Sequence, residues 1–127
     1  GFVAEFLGGA NLLEGRAGAD GAVECPAAGC TLRLSPGAAP PPGAAVSVAV
    51  RPERIRLLPA TDAPRGANTA AGTLRELAYR GEAWVALVAT AGGQVLRVVL
   101  PGGAAPPPPG DGVALAWDDD ANVVLKG

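Results

Sequence analysis

One phrase occurs twice in this chain, and the repeat limits the folds open to it more than any other feature. "GAAVSVAVRPERIRLL" covers residues 43–58 and "GDGVALAWDDDANVVL" covers residues 110–125, each preceded by a proline run, 40–42 in one case and 106–109 in the other. At a constant offset of 67, Val46, Val48 and Val50 match Val113, Leu115 and Trp117, and the charged knot Arg51–Arg54 matches Asp118–Ala121. Leu57 and Leu58 then match Val124 and Leu125.

Apolar residues at every second position predict strands with one buried face, the other face tolerating Ser47, Ala49, Ala114 and Ala116. The knot falls where ladder pairing should stop. Pro52 has no N–H to donate, and Asp118–Asp120 carry side-chain acceptors that favour turns. Each knot is therefore expected to be a chain reversal, with Ile55–Leu58 and Val123–Leu125 as short return strands.

The remaining sequence reads as more sheet. Strand-length runs occupy 10–17, 21–25 and 30–34 in the first half, with a tight turn at Gly18–Gly21. In the second half they occupy 72–81, 82–90 and 94–101, with a glycine hairpin turn at 91–93 and Leu96, Val98 and Leu100 facing inward opposite Arg97. The halves are thus about 1–58 and 72–127, joined by the polar, turn-rich, aperiodic connection 59–71. One short helix is expected, at the N-terminal "FVAEFL". The fold class is all-β, either a small barrel or two coupled half-barrels.

Composition removes several functions. The net charge is −2 and the ten basic residues are scattered, so no basic stripe exists for a phosphate backbone and nucleic acid is not the expected partner. The apolar runs fall far short of the ~20 residues that span a bilayer, so direct membrane insertion is not expected. The chain lacks histidine, and its two cysteines, Cys25 and Cys30, cannot assemble a four-ligand zinc site. Two reduced thiols are the first reading, a local disulfide or redox role the second. With no histidine and only Ser35 and Ser47 as serines, no nucleophile–base pair emerges, and catalytic, cofactor and metal sites are all expected to be absent. The lack of methionine predicts a processed chain or, more simply, a piece of a longer protein lying mostly upstream.

Taken in order, "FVAEFLGGANLLEG", "VSVAVRPERIRLLP", "GTLRELAYRGEAWVALVATAGGQVLRVVLP" and "GDGVALAWDDDANVVL" resemble the C-terminal regulatory domain of ATPase subunits of bacterial ABC importers, the transport-associated OB (TOBE) domain, in its polyamine, iron and sugar-type branch. Phe6, Leu7, Gly8, Asn11, Leu13 and Gly15 carry the opening motif, Arg51, Pro52 and Glu53 the central one, and Gly110, Asp111, Val113, Leu115 and Trp117 the terminal one. The resemblance implies an OB-like small barrel built from two related halves. It implies a non-catalytic regulatory and dimerisation module whose partners are its own ATPase domain and a second copy of the subunit, with the membrane permease reached indirectly. ATP and Mg would belong to that upstream domain, because the phosphate loop needs lysine followed by Ser or Thr, whereas Lys126 precedes Gly127. The implied location is cytoplasmic, peripheral to the inner membrane through the transporter.

The candidate inter-domain or dimer contacts are Asn11, Arg51 and Glu53. Arg51 could hold a neighbouring carboxylate or carbonyl in its planar fork; the plainer reading is a capped strand end with a surface ion pair. Asn11 has a plainer role too, bonding backbone in a turn before the first strand. Three consecutive carboxylates at Asp118–Asp120 cannot all converge on one ion and lack the alternation of a calcium loop, so a solvated turn is expected there. Trp117 reads as core filling, while Trp84 and Tyr79 remain open between core and a stacking platform. Two rival functions stand beside the regulatory one: a small-ligand or oxyanion-binding module, for which the expected Ser-x-Arg-Asn signature is missing, and a nucleic-acid-binding OB domain.

Overall fold

The computed structural model describes residues 9–35, 37 and 39–125. The helix expected in "FVAEFL", the motif positions Phe6, Leu7 and Gly8, and Lys126 lie outside the described residues. Within them the chain forms ten strands: β1 (Asn11–Ala17), β2 (Ala22–Cys25), β3 (Cys30–Arg33), β4 (Ala45–Val50), β5 (Arg56–Pro59), β6 (Thr69–Arg80), β7 (Ala83–Thr90), β8 (Val95–Pro101), β9 (Gly112–Ala116) and β10 (Val123–Leu125). The fold is all-β and OB-like, as the repeat and the resemblance anticipate.

The strands make two antiparallel sheets with matching orders, β10-β4-β1-β2-β3 and β5-β9-β6-β7-β8. In each sheet four strands come from one half of the sequence, and the fifth comes from the other half. The strand after each knot therefore does not return onto the ladder it follows, contrary to the expected reversal. β5 pairs with β9, placing Leu57 opposite Leu115, and β10 pairs with β4, placing Val124 opposite Val48. The knots are single 3-10 turns, Pro52–Arg54 and Asp119–Ala121, with extended backbone on both sides. Such a turn carries the chain across to the opposite sheet, where Leu57, Leu58, Val124 and Leu125 of the exchanged strands are half-buried and Val123 stays exposed. Alternation shows that a strand is half-buried but not which sheet buries it.

β4 and β9 are interior strands, and their alternation proves less strict than the sequence suggests. Val46, Val48 and Val50 are buried, but so is Ala49, and all of Val113, Ala114, Leu115, Ala116 and Trp117 are buried. With neighbouring strands on both sides, only methyl-sized groups fit on their second face. In β8 the expectation holds, with Leu96, Val98 and Leu100 buried and Arg97 exposed.

A single apolar core runs between the sheets, joining Leu13, Val23, Leu32, Val48 and Val50 of one to Leu74, Val88, Leu96, Val98 and Leu115 of the other. β6 begins at Thr69, inside the stretch read from sequence as connection. Its first inward residue is Ala70, too small to give the periodic apolar signal, although it is buried and pairs with Leu115. No helix among the described residues is long and apolar enough to cross a membrane.

Candidate functional site

The two charged knots keep their offset of 67 in three dimensions. Arg54 N–H donates to the Arg51 carbonyl (3.0 Å) and Ile55 N–H to that of Pro52 (3.4 Å). Correspondingly, Ala121 N–H donates to Asp118 (3.0 Å) and Asn122 N–H to Asp119 (3.1 Å). Strand exchange brings the basic and acidic knots together: Arg54 pairs with Asp120, and Arg56 with Asp118 at 3.3 Å. The three aspartates form a turn in which Asp118 and Asp120 are exposed, as expected, and Asp119 is half-buried, and each meets an arginine of the other half, Asp119 lying 4.0 Å from Arg33.

Asn11, Arg51 and Glu53 are gathered at one end of the first sheet. Asn11 opens β1 opposite Val50, the last residue of β4, and Arg51 follows directly. Pro52 is buried where this knot packs on β8, while Arg51 and Glu53 on either side are exposed and make no ion pair among the described residues. Asn11 is only 8% exposed and is used inside the domain. Its Nδ2 donates to the Arg97 carbonyl and its Oδ1 accepts from the Arg97 N–H, both at 2.8 Å. One side-chain amide thus supplies the donor and acceptor of a missing strand neighbour, joining the first sheet to β8 of the second. The backbone contact expected of Asn11 exists, reaching across the sheets rather than within a local turn.

A counterpart, not anticipated from the sequence, lies at the other end. Asn68 is 2% exposed, has positive φ (61°), and accepts the Arg33 N–H on its Oδ1 at 2.9 Å. Here the work is divided: Asn122 Nδ2 donates to both the Arg33 carbonyl and Asn68 Oδ1 at 2.8 Å, and Asn122 Oδ1 accepts from Trp117 Nε1 at 2.8 Å. Asn68 Nδ2 donates to Asp119 Oδ1 at 2.6 Å, tying the network to the acidic knot. A signal was available: "NLLEG" at 11–15 and "NTAAG" at 68–72 repeat Asn and Gly with the same spacing, offset by 57. Above the network an open pocket of about 520 Å³ is lined by Ser35, Ala67, Asn68, Trp117 and Asp118–Asp120. Its carboxylates oppose an anionic occupant.

Trp117 fills core, as expected, with its indole N–H satisfied by Asn122. Trp84 is half-buried, stacks edge-on with exposed Tyr79 at a centroid distance of 4.9 Å, and keeps Nε1 buried without a partner among the described residues. Cys25 and Cys30 are free thiols facing each other across β2 and β3. The Cys30 thiol hydrogen-bonds to the Cys25 sulfur, which favours the Cys25 thiolate and lowers its pKa, while the same contact and burial push Cys30 up. Among the described residues no three His, Cys, Asp or Glu side chains are grouped to hold a metal ion.

The fold and its paired knots define a duplicated OB-like β domain in which each half completes the other's sheet. The TOBE domain family model matches residues 48–125, and the chain belongs to this family. It is 35% identical over 133 aligned positions to the spermidine/putrescine import ATP-binding protein PotA of Rubrobacter xylanophilus, covering 99% of this chain and 34% of that protein. The chain thus spans about a third of the length of that curated relative. Among solved structures, the cytoplasmic molybdate-binding protein ModG with molybdate bound superposes with a TM-score of 0.71 at 16% identity, covering 90% of this chain and 94% of that one. At that identity the likeness is one of fold.

Proposed function

We propose that this domain is the regulatory and dimerisation module of the ATP-binding subunit of an ABC importer and is not catalytic by itself. The observation that carries the reading is the 35% identity to such a subunit along 99% of the chain. In this reading ATP and Mg²⁺ are bound by the remainder of the parent subunit, and the residues present here do not fit the nucleotide: the sole lysine, Lys126, precedes Gly127 rather than Ser or Thr. The domain's part is mechanical. A single core and exchanged strands make it a stiff body, able to hold its own ATPase domain and a second copy of the subunit in a fixed relation. An effector would act by binding one arrangement better than another. Through the permease the assembly sits at the cytoplasmic side of the membrane.

Arg51 and Glu53 are the contact residues of this reading. Pro52 is anchored on β8, so the charged side chains flanking it project from a fixed turn. Asn11 contributes by pinning β8 beneath that turn. The rival oxyanion reading has fold likeness in its favour, but the acidic pocket has the wrong sign for it.

The test uses the full-length parent subunit with Arg51→Ala and Glu53→Ala together. Sedimentation equilibrium is expected to show dimer dissociation raised about tenfold, equivalent to about 1.4 kcal/mol. Transporter-coupled ATP hydrolysis should also change. An unaltered dimer with unaltered hydrolysis sinks the assignment, and saturable molybdate binding by this domain would favour the rival.

A further inference from the structure

Cys25 ends β2 and Cys30 opens β3, and the two are direct partners in the antiparallel ladder. Opposed residues in such ladders have Cα atoms about 4.5–5.5 Å apart, inside the roughly 4.4–6.8 Å that a disulfide bridges. The turn between them is set: Pro26–Ala28 is a 3-10 turn, closed by Gly29 in the left-handed region (φ 67°) with its N–H on the Pro26 carbonyl. Cys25 is buried, whereas Cys30 is only half-buried and offers a route for a reagent.

This turn is also a joint between the sheets. The Ala27 carbonyl accepts the Gln94 N–H at 2.9 Å, from the β7–β8 turn, and the Thr90 hydroxyl at 3.3 Å, from the end of β7. Gly92 lies so close to the Pro26 and Ala27 carbonyls that no Cβ fits there. Gln94 Nε2 adds a bond to the Leu12 carbonyl at 2.8 Å. The thiols therefore flank one of the segments through which the first sheet grips the second.

The geometry points to Cys25 and Cys30 as a reversible dithiol–disulfide pair, closed by exchange with a small disulfide such as oxidised glutathione, that fastens this joint. As the sulfur of the accessible Cys30 attacks the oxidant, its proton passes to the hydrogen-bonded Cys25 sulfur, and one glutathione thiolate leaves and takes a proton from solvent. Cys25 then gives that proton up to solvent, and its sulfur attacks the Cys30 sulfur of the mixed disulfide and releases the second. Two cysteine S–H bonds are replaced by one S–S bond, and two electrons pass to the oxidant.

The full chain is equilibrated with oxidised glutathione and examined by intact mass, thiol titration after denaturation, and amide exchange. Expected are loss of two hydrogens in mass, loss of both titratable thiols, recovery with dithiothreitol, and about tenfold slower exchange at the Gln94 amide. Cys25→Ser should instead carry a glutathione adduct on Cys30, which shows that Cys30 is reached. Wild-type chain that retains both thiols, stops at the glutathione adduct or forms a covalent dimer overturns the pair. Closure with unchanged Gln94 exchange overturns its role at the joint.

Discussion

The side-chain amide of Asn11 grips the backbone of Arg97, 86 residues away, through two hydrogen bonds of 2.8 Å. Asn68 meets the backbone of Arg33 at the corresponding place in the other half. Each asparagine stands at the mouth of its own sheet and closes it onto the third strand of the other. Apolar packing makes the core contiguous, and these amides specify how the two sheets dock.

Asn11→Ala should therefore lower stability by about 2 kcal/mol, because it leaves the N–H and carbonyl of Arg97 without their partner. Asn11→Asp is expected to be no better, since a carboxylate facing the Arg97 carbonyl replaces a donor by an acceptor. Urea denaturation of the isolated domain checks both. An Asn11→Ala loss within ~0.5 kcal/mol, the range of an ordinary surface substitution, would show that the amide only decorates the joint.

Gly15 and Gly72 stand four residues after these asparagines. A Cβ on Gly15 would lie 2.7 Å from Cys25 Sγ and 2.8 Å from Val23 Cγ1, and one on Gly72 would lie 2.6 Å from the Ala89 carbonyl oxygen. Alanine at either site should cost about 1–3 kcal/mol by overpacking. Gly103→Ala is the control, having open space around it, and its stability should change by less than ~0.5 kcal/mol.

The strands were legible because Val46, Val48, Val50 and Leu96, Val98, Leu100 alternate strongly and glycine or proline ends each run. Which sheet each strand joins was not legible, since Leu57 pairs with Leu115 and Val124 with Val48 across 58 and 76 residues, and no local pattern encodes such a partner. Of the candidate site, Arg51 and Glu53 were visible because they interrupt an apolar ladder. Asn68 was hidden because it lies among alanines and threonine, where no large apolar side chain marks the start of β6. Asn122 was hidden by the knot itself, whose charges suggested solvent rather than a buried amide network.

Asp120 and Arg54 link the knots, yet this pair is exposed and should contribute little. A double-mutant cycle with Arg54→Ala and Asp120→Ala is expected to give less than ~1 kcal/mol of coupling, shrinking further in 1 M salt. Coupling well above that figure would mean that the knots, rather than the asparagines, hold the halves together.

The thiol pair gives the reduced domain a pH signature. Cys25 titrates below the ordinary value of 9.0 in the folded state, so between its lowered value and 9.0 the unfolded chain binds more protons than the folded one, and stability rises with pH. Cys30 titrates above 9.0 when folded, so beyond 9.0 the folded chain holds a proton that the unfolded chain has lost, and stability falls. Urea midpoints under reducing conditions should therefore pass through a maximum near pH 9, and Cys30→Ser should remove the decline on its alkaline side. A wild-type profile identical to that of Cys30→Ser would mean that the two sulfurs do not share a proton.

The two tryptophans should separate cleanly. Trp117→Phe removes the donor that satisfies Asn122 Oδ1, and Asn122 in turn bonds Asn68 and Arg33, so the loss spreads into the latch and should reach about 2–3 kcal/mol. Trp84→Phe removes an indole N–H that is buried without a partner among the described residues, and relief of that unsatisfied donor offsets part of the lost packing against Tyr79. Its cost should stay below ~1.5 kcal/mol, as expected for a tolerated hydrophobic exchange. Parallel thermal and urea unfolding of the two variants checks the order. Were Trp84→Phe the more damaging, the Asn68–Asn122–Trp117 network would lose its place as the second clamp between the sheets.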